Sequence, residues 1–165
     1  MHKILIAPHA ALRKQAKTLD KVMKEDIAIS KQMIQTMKNG FGAGLAANQI
    51  GILKKIITVH IQDKENNTEK LYALFNPIIN EYSKDTIVME EGCLSFPQQF
   101  AEVERPKSIK LQYTNEKNKI IREEKNGYEA RILQHEIDHL SGKLFIDYLS
   151  SLKRNVLIKK VQKLK

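Results

Sequence analysis

At 165 residues the chain is long enough for one domain with a real core and too short for two ordinary ones. A hydrophobic share of 42% and a charged share of 28% fit a soluble globular protein, and no apolar run approaches the roughly 20 residues that a membrane helix needs. The net charge of +9 is uneven, with six basic and no acidic residues from Lys153 to Lys165.

The apolar N-terminal stretch from Met1 to Ala10 is brief. Arg13, Lys14 and Lys17 follow it in place of small residues at a cleavage site, so no signal peptide is expected. Glu25 to Lys38 is predicted to be a helix, because Ile27, Ile29, Met33, Ile34 and Met37 recur at helical spacing. Asn39-Gly40 ends it, and a glycine-rich loop follows to Gly51. Strands are expected at Lys55 to Ile61, Leu71 to Phe75, Thr86 to Met89, around Val103, and at Ser108 to Tyr113. Asp63 to Lys70 and Thr114 to Lys119 read as polar hairpin turns.

A helix should then begin at Asn126, with Glu129 three residues later completing a capping box, and run to about Leu140. A basic amphipathic helix is expected over about 147–163, its apolar face built from Leu149, Leu152, Val156, Leu157, Val161 and Leu164. Strands and helices segregate along the chain, which predicts an α+β fold with mainly antiparallel sheet in a single domain over 1–165.

The strongest chemical signal is His135-Glu136-Ile137-Asp138-His139. Residues four apart on a helix share a face, so both imidazoles can reach one metal ion while Glu136 stands beside them. The alternative is two buried, hydrogen-bonded histidines in a core helix. A catalytic site of this kind needs a third protein ligand and one open position. No histidine follows His139, and the only acidic residue after it is Asp147. The remaining strong ligand is Cys93, the only thiol, which also excludes an internal disulfide. Taken alone, Cys93 would be read as a small buried hydrophobe. In a protein short of one soft ligand, the balance moves toward the metal.

Cys93 lies in Glu90-Glu91-Gly92-Cys93-Leu94-Ser95, where the Leu94 backbone N–H can face the reacting oxygen, and Glu91 is a candidate partner for a ligand imidazole. The loop Gly42-Ala43-Gly44-Leu45-Ala46-Ala47-Asn48-Gln49 has neither phosphate-loop nor dinucleotide-loop spacing. Its small residues allow either tight packing or an extended peptide against the backbone, with the Gln49 amide as a donor.

The segments GAGLAANQ (42–49), EGCLS (91–95) and QHEIDHL (134–140) resemble the three signature blocks of peptide deformylases, in order. The resemblance covers nearly the whole chain, including Arg105-Pro106 and the C-terminal helix. It implies antiparallel sheets around a central helix bearing HExxH, and hydrolysis of the N-formyl group of formylmethionine on newly made proteins, with release of formate. It implies Cys93, His135 and His139 as ligands of one divalent metal ion: Fe²⁺ in the cell, with Zn²⁺, Ni²⁺ or Co²⁺ able to take its place. It implies Glu136 as general base and acid, and Gln49 and Leu94 as the oxyanion hole. Gly42, Gly44, Ile132 and the stem of Arg131 would meet the substrate. Phe100 stands where family members carry Arg or Tyr, so a polar contact to the peptide beyond methionine is in doubt.

The implied partners are nascent formylmethionyl chains and, through the basic helix, the ribosome, with no membrane and no specific DNA. The implied compartment is bacterial cytoplasm or an organelle. Two rival readings stay open at this stage. One is a different metallohydrolase with another third ligand. The other is a basic RNA-binding module with a closed structural metal site, and a solvated helix with no partner would equally explain the tail.

Overall fold

The computed structural model of the chain describes residues 1–164, so Lys165, the last of the six basic residues, lies outside the described residues. Helix α1 (Lys24–Asn39) packs on a five-stranded antiparallel sheet ordered β1-β2-β3-β6-β7, formed by β1 (Gly44–Ala46), β2 (Ile56–Asp63), β3 (Thr68–Tyr82), β6 (Ser108–Thr114) and β7 (Ile120–Asn126). A separate hairpin pairs β4 (Thr86–Cys93) with β5 (Phe96–Pro106). Helix α2 (Gly127–Leu140) carries the HExxH segment, and α3 (Ser151–Lys163) ends the chain. The expected α+β architecture, with antiparallel sheets about a central helix, is the one observed.

Alternation along β2 places the large sheet between two helices. Ile57 and Val59 join Leu74, Ile109 and Leu111 under Ala130, Leu133 and Leu140 of α2. Ile56 faces the other way, with Phe75 and Leu45, toward Met33 and Met37 of α1. A third cluster joins Phe96 and Val103 of β5 to Phe145, Ile146, Leu157 and Val161, and so seats α3 against the hairpin. No helix among the described residues is long and apolar enough to cross a membrane.

Several local expectations need correction. Asn126 makes no side-chain cap to α2, and Glu129 turns instead to the Tyr72 hydroxyl at 2.6 Å and Lys70 Nζ at 3.1 Å. Cross-element partners outweigh the local capping bond. The C-terminal helix starts at Ser151, where Ser150 accepts from Lys153 N, and not near 147. Asp147 sits in a short 3-10 turn, Phe145–Tyr148, paired with Arg13 at 2.7 Å. Leu157 and Val161 are buried as expected, whereas Leu152 is 76% and Val156 42% exposed, so the apolar stripe is narrower than the spacing suggests.

Candidate metal centre

Helix α2 has two working faces. Ala130, Leu133 and Leu140 pack on the sheet, while Arg131, His135 and His139, each four residues on from the last, form a stripe on another side. That stripe meets the end of β4. His139 Nε2 lies 3.5 Å from Cys93 Sγ and 3.3 Å from His135 Nε2. One donor atom from each of the three residues falls within 4.8 Å of the others. Two ring nitrogens and a sulfur facing one another are a donor set that suits a shared cation. The donor set, one thiol and two imidazoles, fits a divalent ion with a coordination position left open for water or substrate. His139 Nδ1 is buried without a partner, whereas His135 Nδ1 meets Glu91 Oε1 at 2.8 Å.

Electrostatics divide the cluster. Burial pushes the Glu136 carboxyl up to about 7, outweighing the attraction of His135, and its Oε2 has no partner. Burial would also raise Glu91, but hydrogen bonds from His135 and Arg105 hold it down at about 2. Arg105 grips Glu91 through both Nε and Nη2, and reaches Asp138 Oδ2 at 2.9 Å. Burial and the neighbouring His135 charge keep His139 well below the usual histidine range. Burial would lower His135, but the neighbouring Cys93, Glu91 and Glu136 drive it well above that range.

The glycine-rich loop closes the site from the other side. A Cβ at Gly42 would stand 2.6 Å from Leu94 Cδ1, and one at Gly44 would stand 2.7 Å from both Cγ and Oε1 of Glu136. These glycines therefore serve close approach, and the left-handed residue after α1 is Phe41 (φ 56). Gln49 is buried, and its amide is oriented at both ends. Oε1 accepts from Ala46 N at 2.9 Å, while Nε2 donates to Ser95 Oγ at 3.1 Å and faces Cys93 Sγ at 3.5 Å. A cavity of about 460 Å³ opens over the cluster, lined by Gly42, Gly44, Cys93, Leu94, Arg131, Ile132, His135 and Glu136 among others. Gln49 and His139 do not line it and join the site through Cys93. All ten residues anticipated from the sequence thus converge on one place. Phe100 lines the cavity mouth and is 61% exposed.

Two buried arginines escaped the sequence reading in their actual roles. Arg105 was noted only as half of an Arg-Pro pair. Arg131 lines the cavity, and its guanidinium, for which the sequence suggested no partner, reaches Glu91 Oε2 at 2.6 Å and the carbonyls of Val103 and Ile87, each at 2.7 Å. The available signal was the spacing of Arg131, His135 and His139 at successive helical turns.

A Cys-His-His cluster on an HExxH helix, with a buried carboxyl beside it and a cavity above, defines a metal-dependent hydrolase site. The family model for polypeptide deformylase matches residues 1–155. A peptide deformylase of Rickettsia canadensis is 43% identical over 166 residues, spanning 98% of this chain and 95% of the relative. One from Phenylobacterium zucineum is 43% identical over 163 residues, spanning 99% and 96%. The crystal structure of peptide deformylase from Ehrlichia chaffeensis superposes with a TM-score of 0.95 at 32% identity, covering 99% of this chain and 96% of that one. The chain belongs to the peptide deformylase family, metal-dependent hydrolases that remove the formyl group from the N-terminal formylmethionine of nascent proteins.

Proposed function

We propose that this chain performs deformylation with Cys93, His135 and His139 as ligands of a single divalent ion, Fe²⁺ in the cell and replaceable by Zn²⁺, Ni²⁺ or Co²⁺. The observation that carries this reading is the meeting of one thiol, two imidazoles and a buried carboxyl with a free oxygen in one cluster beneath a cavity. When bound, the ion supplies Lewis acidity, polarising the formyl oxygen and making a water more acidic.

The protein groups do the rest. Glu136 takes a proton from the water that adds to the formyl carbon, a task suited to a carboxyl whose burial pushes it up to about 7. Negative charge develops on the formyl oxygen, where Gln49 Nε2 and the Leu94 backbone N–H donate. Gln49 is already fixed by Ala46 and Ser95, so it need not reorient as charge appears. Glu136 then gives its proton to the amide nitrogen as the C–N bond breaks, leaving formate and a free amine. Gly42 and Gly44 admit the substrate backbone, and Ile132 with the aliphatic stem of Arg131 walls the space for the methionine side chain.

The reading is tested by measuring formate release from formyl-Met-Ala under anaerobic conditions, with metal analysis of the same sample. Cys93→Ala should lose both metal and turnover. Glu136→Gln should keep the metal while the rate falls by roughly 10²-fold or more, the scale for a lost general acid and base. A Cys93→Ala protein with one metal per chain and normal turnover would remove Cys93 from the ligand set.

The basic helix is proposed to bring the enzyme to ribosomal RNA in bacterial cytoplasm or an organelle. Lys153, Lys159, Lys160 and Lys163 are exposed, and none of them forms an ion pair among the described residues. Such a surface favours an RNA-rich partner, with attraction that falls steeply as salt rises.

A further inference from the structure

We propose that Arg131 is a positioning residue for the metal centre: it locks Glu91 and both strands of the β4–β5 hairpin to helix α2, and so sets the approach of Cys93 to the two histidines. The inference rests on the ligand set proposed above.

The cluster is assembled from two bodies that share no backbone hydrogen bonding. Cys93 ends β4, while His135 and His139 ride on α2. Something must fix the hairpin against the helix to within the tolerance of a coordination sphere. Van der Waals contact alone is a soft restraint. Arg131 provides a stiff one, because a guanidinium is planar and offers five donors in a fixed fork. It is 4% exposed, and each of its guanidinium hydrogen bonds lands on the hairpin. Nη1 donates to Glu91 Oε2 at 2.6 Å and to the Val103 carbonyl on β5 at 2.7 Å. Nη2 donates to the Ile87 carbonyl on β4 at 2.7 Å. One side chain thus measures the distance from α2 to both strands at once.

Glu91 is two residues before Cys93 on the same strand, and its other oxygen is the partner of His135 Nδ1 at 2.8 Å. Arg131 and His135 are one helical turn apart, so α2 grips the two oxygens of one carboxylate with consecutive turns. A carboxylate held by guanidinium groups is an acceptor. The hydrogen it meets on His135 is therefore on Nδ1, so Nε2 is the ring nitrogen that faces the cluster, 3.3 Å from His139 Nε2. Arg105 also holds Glu91, but it lies on β5 within the hairpin, so that bond does not tie the hairpin to α2. Its link to α2 runs through Asp138, which lies between the two ligands in the helix sequence.

The test is the rate at which zinc-loaded protein gives up its metal to a chromogenic chelator, measured well below the unfolding temperature. Arg131→Met keeps an aliphatic stem and removes only the head. Release should accelerate by about 10–100-fold, the range for loss of outer hydrogen-bonding support at metal sites, while KM for formyl-Met-Ala changes less than kcat. In a Glu91→Gln background the same substitution should add less than it does alone, because part of its effect runs through Glu91; a residue with only a general packing role would add its full effect. Arg131→Lys, a point charge that can serve Glu91 but not both carbonyls, should fall between wild type and Arg131→Met, and it carries the test if Arg131→Met does not fold. Wild-type release rates in the folded variants, or a raised KM with unaltered release, would overturn the assignment and leave Arg131 as a wall of the substrate pocket. A wild-type chain that binds no stoichiometric zinc would instead overturn the ligand set, and the role of Arg131 with it.

Discussion

Gly44→Ala would probe how tightly the loop holds Glu136. The added methyl carbon would lie 2.7 Å from Glu136 Cγ, 2.7 Å from Oε1 and 2.9 Å from Cδ. Ordinary carbon contacts begin near 3.5 Å, so the carboxylate or the strand must move by about 0.8 Å. Glu136 is only 5% exposed, and the group struck includes its Cγ, so the chain cannot simply swing its end into solvent. A misplacement of about 1 Å costs on the order of 10²-fold in rate, about 2.7 kcal/mol in the barrier. Overpacking should also lower stability by about 1–3 kcal/mol. The three atoms that the methyl would meet first all belong to Glu136 and none to a proposed ligand, so metal content should be unchanged. The assay is kcat/KM for formyl-Met-Ala, with metal analysis and a thermal melt on one preparation. Full turnover with an unchanged melt would show that Glu136 is not held by the loop, and the reasoning would fail.

Acetyl-Met peptides should turn over far more slowly than formyl-Met peptides, because an added methyl must fit beside Cys93, Leu94 and His135; equal rates would mark a general amidase. Replacing Lys159, Lys160 and Lys163 with Glu should leave turnover of a short formyl peptide intact and weaken ribosome binding at moderate salt; undiminished binding in a sedimentation assay would free the helix from a targeting role. Glu129 gives a pH-dependent case. Burial would raise its pKa, but bonds from Tyr72 and Lys70 and the Lys125 charge lower it. Its contribution to stability is therefore present above the unfolded value of about 4.3 and is lost as pH falls through the lower folded value. Glu129→Gln should be less stable than wild type at neutral pH, and the difference in urea midpoint should close at acid pH; a gap that persists there would show that the carboxylate charge is not its source.

The sequence exposed what depends on short spacing. His135 and His139 lie four apart, so the helix alone brings them together, and the strongest strands and α1 follow from apolar periodicity. Elements with no apolar periodicity of their own were hidden. β7 reads Ile-Ile-Arg-Glu-Glu-Lys-Asn, too charged to announce a strand, yet it pairs along β6 from Ser108 to Thr114. β1 is three residues inside a glycine-rich loop and becomes a strand only because β2 lies beside it. Glu91 was visible as a histidine partner. The two arginines that hold it were not, since an arginine's burial depends on carboxylates and carbonyls 14 to 44 residues away.

The proposed ligands come from segments that meet only in the finished fold: Cys93 and His139 are 46 residues apart in the chain. An unfolded chain offers no such constellation, so an ion with affinity for the folded form alone adds about 2.7 kcal/mol of stability at a hundredfold excess over its Kd. Scarcity of the ion therefore acts twice. It idles the molecules that are present, and it leaves each of them open for longer to proteases that attack unfolded chains. The cellular quantity of this protein should then follow the supply of its metal, as a supply gauge written into its lifetime.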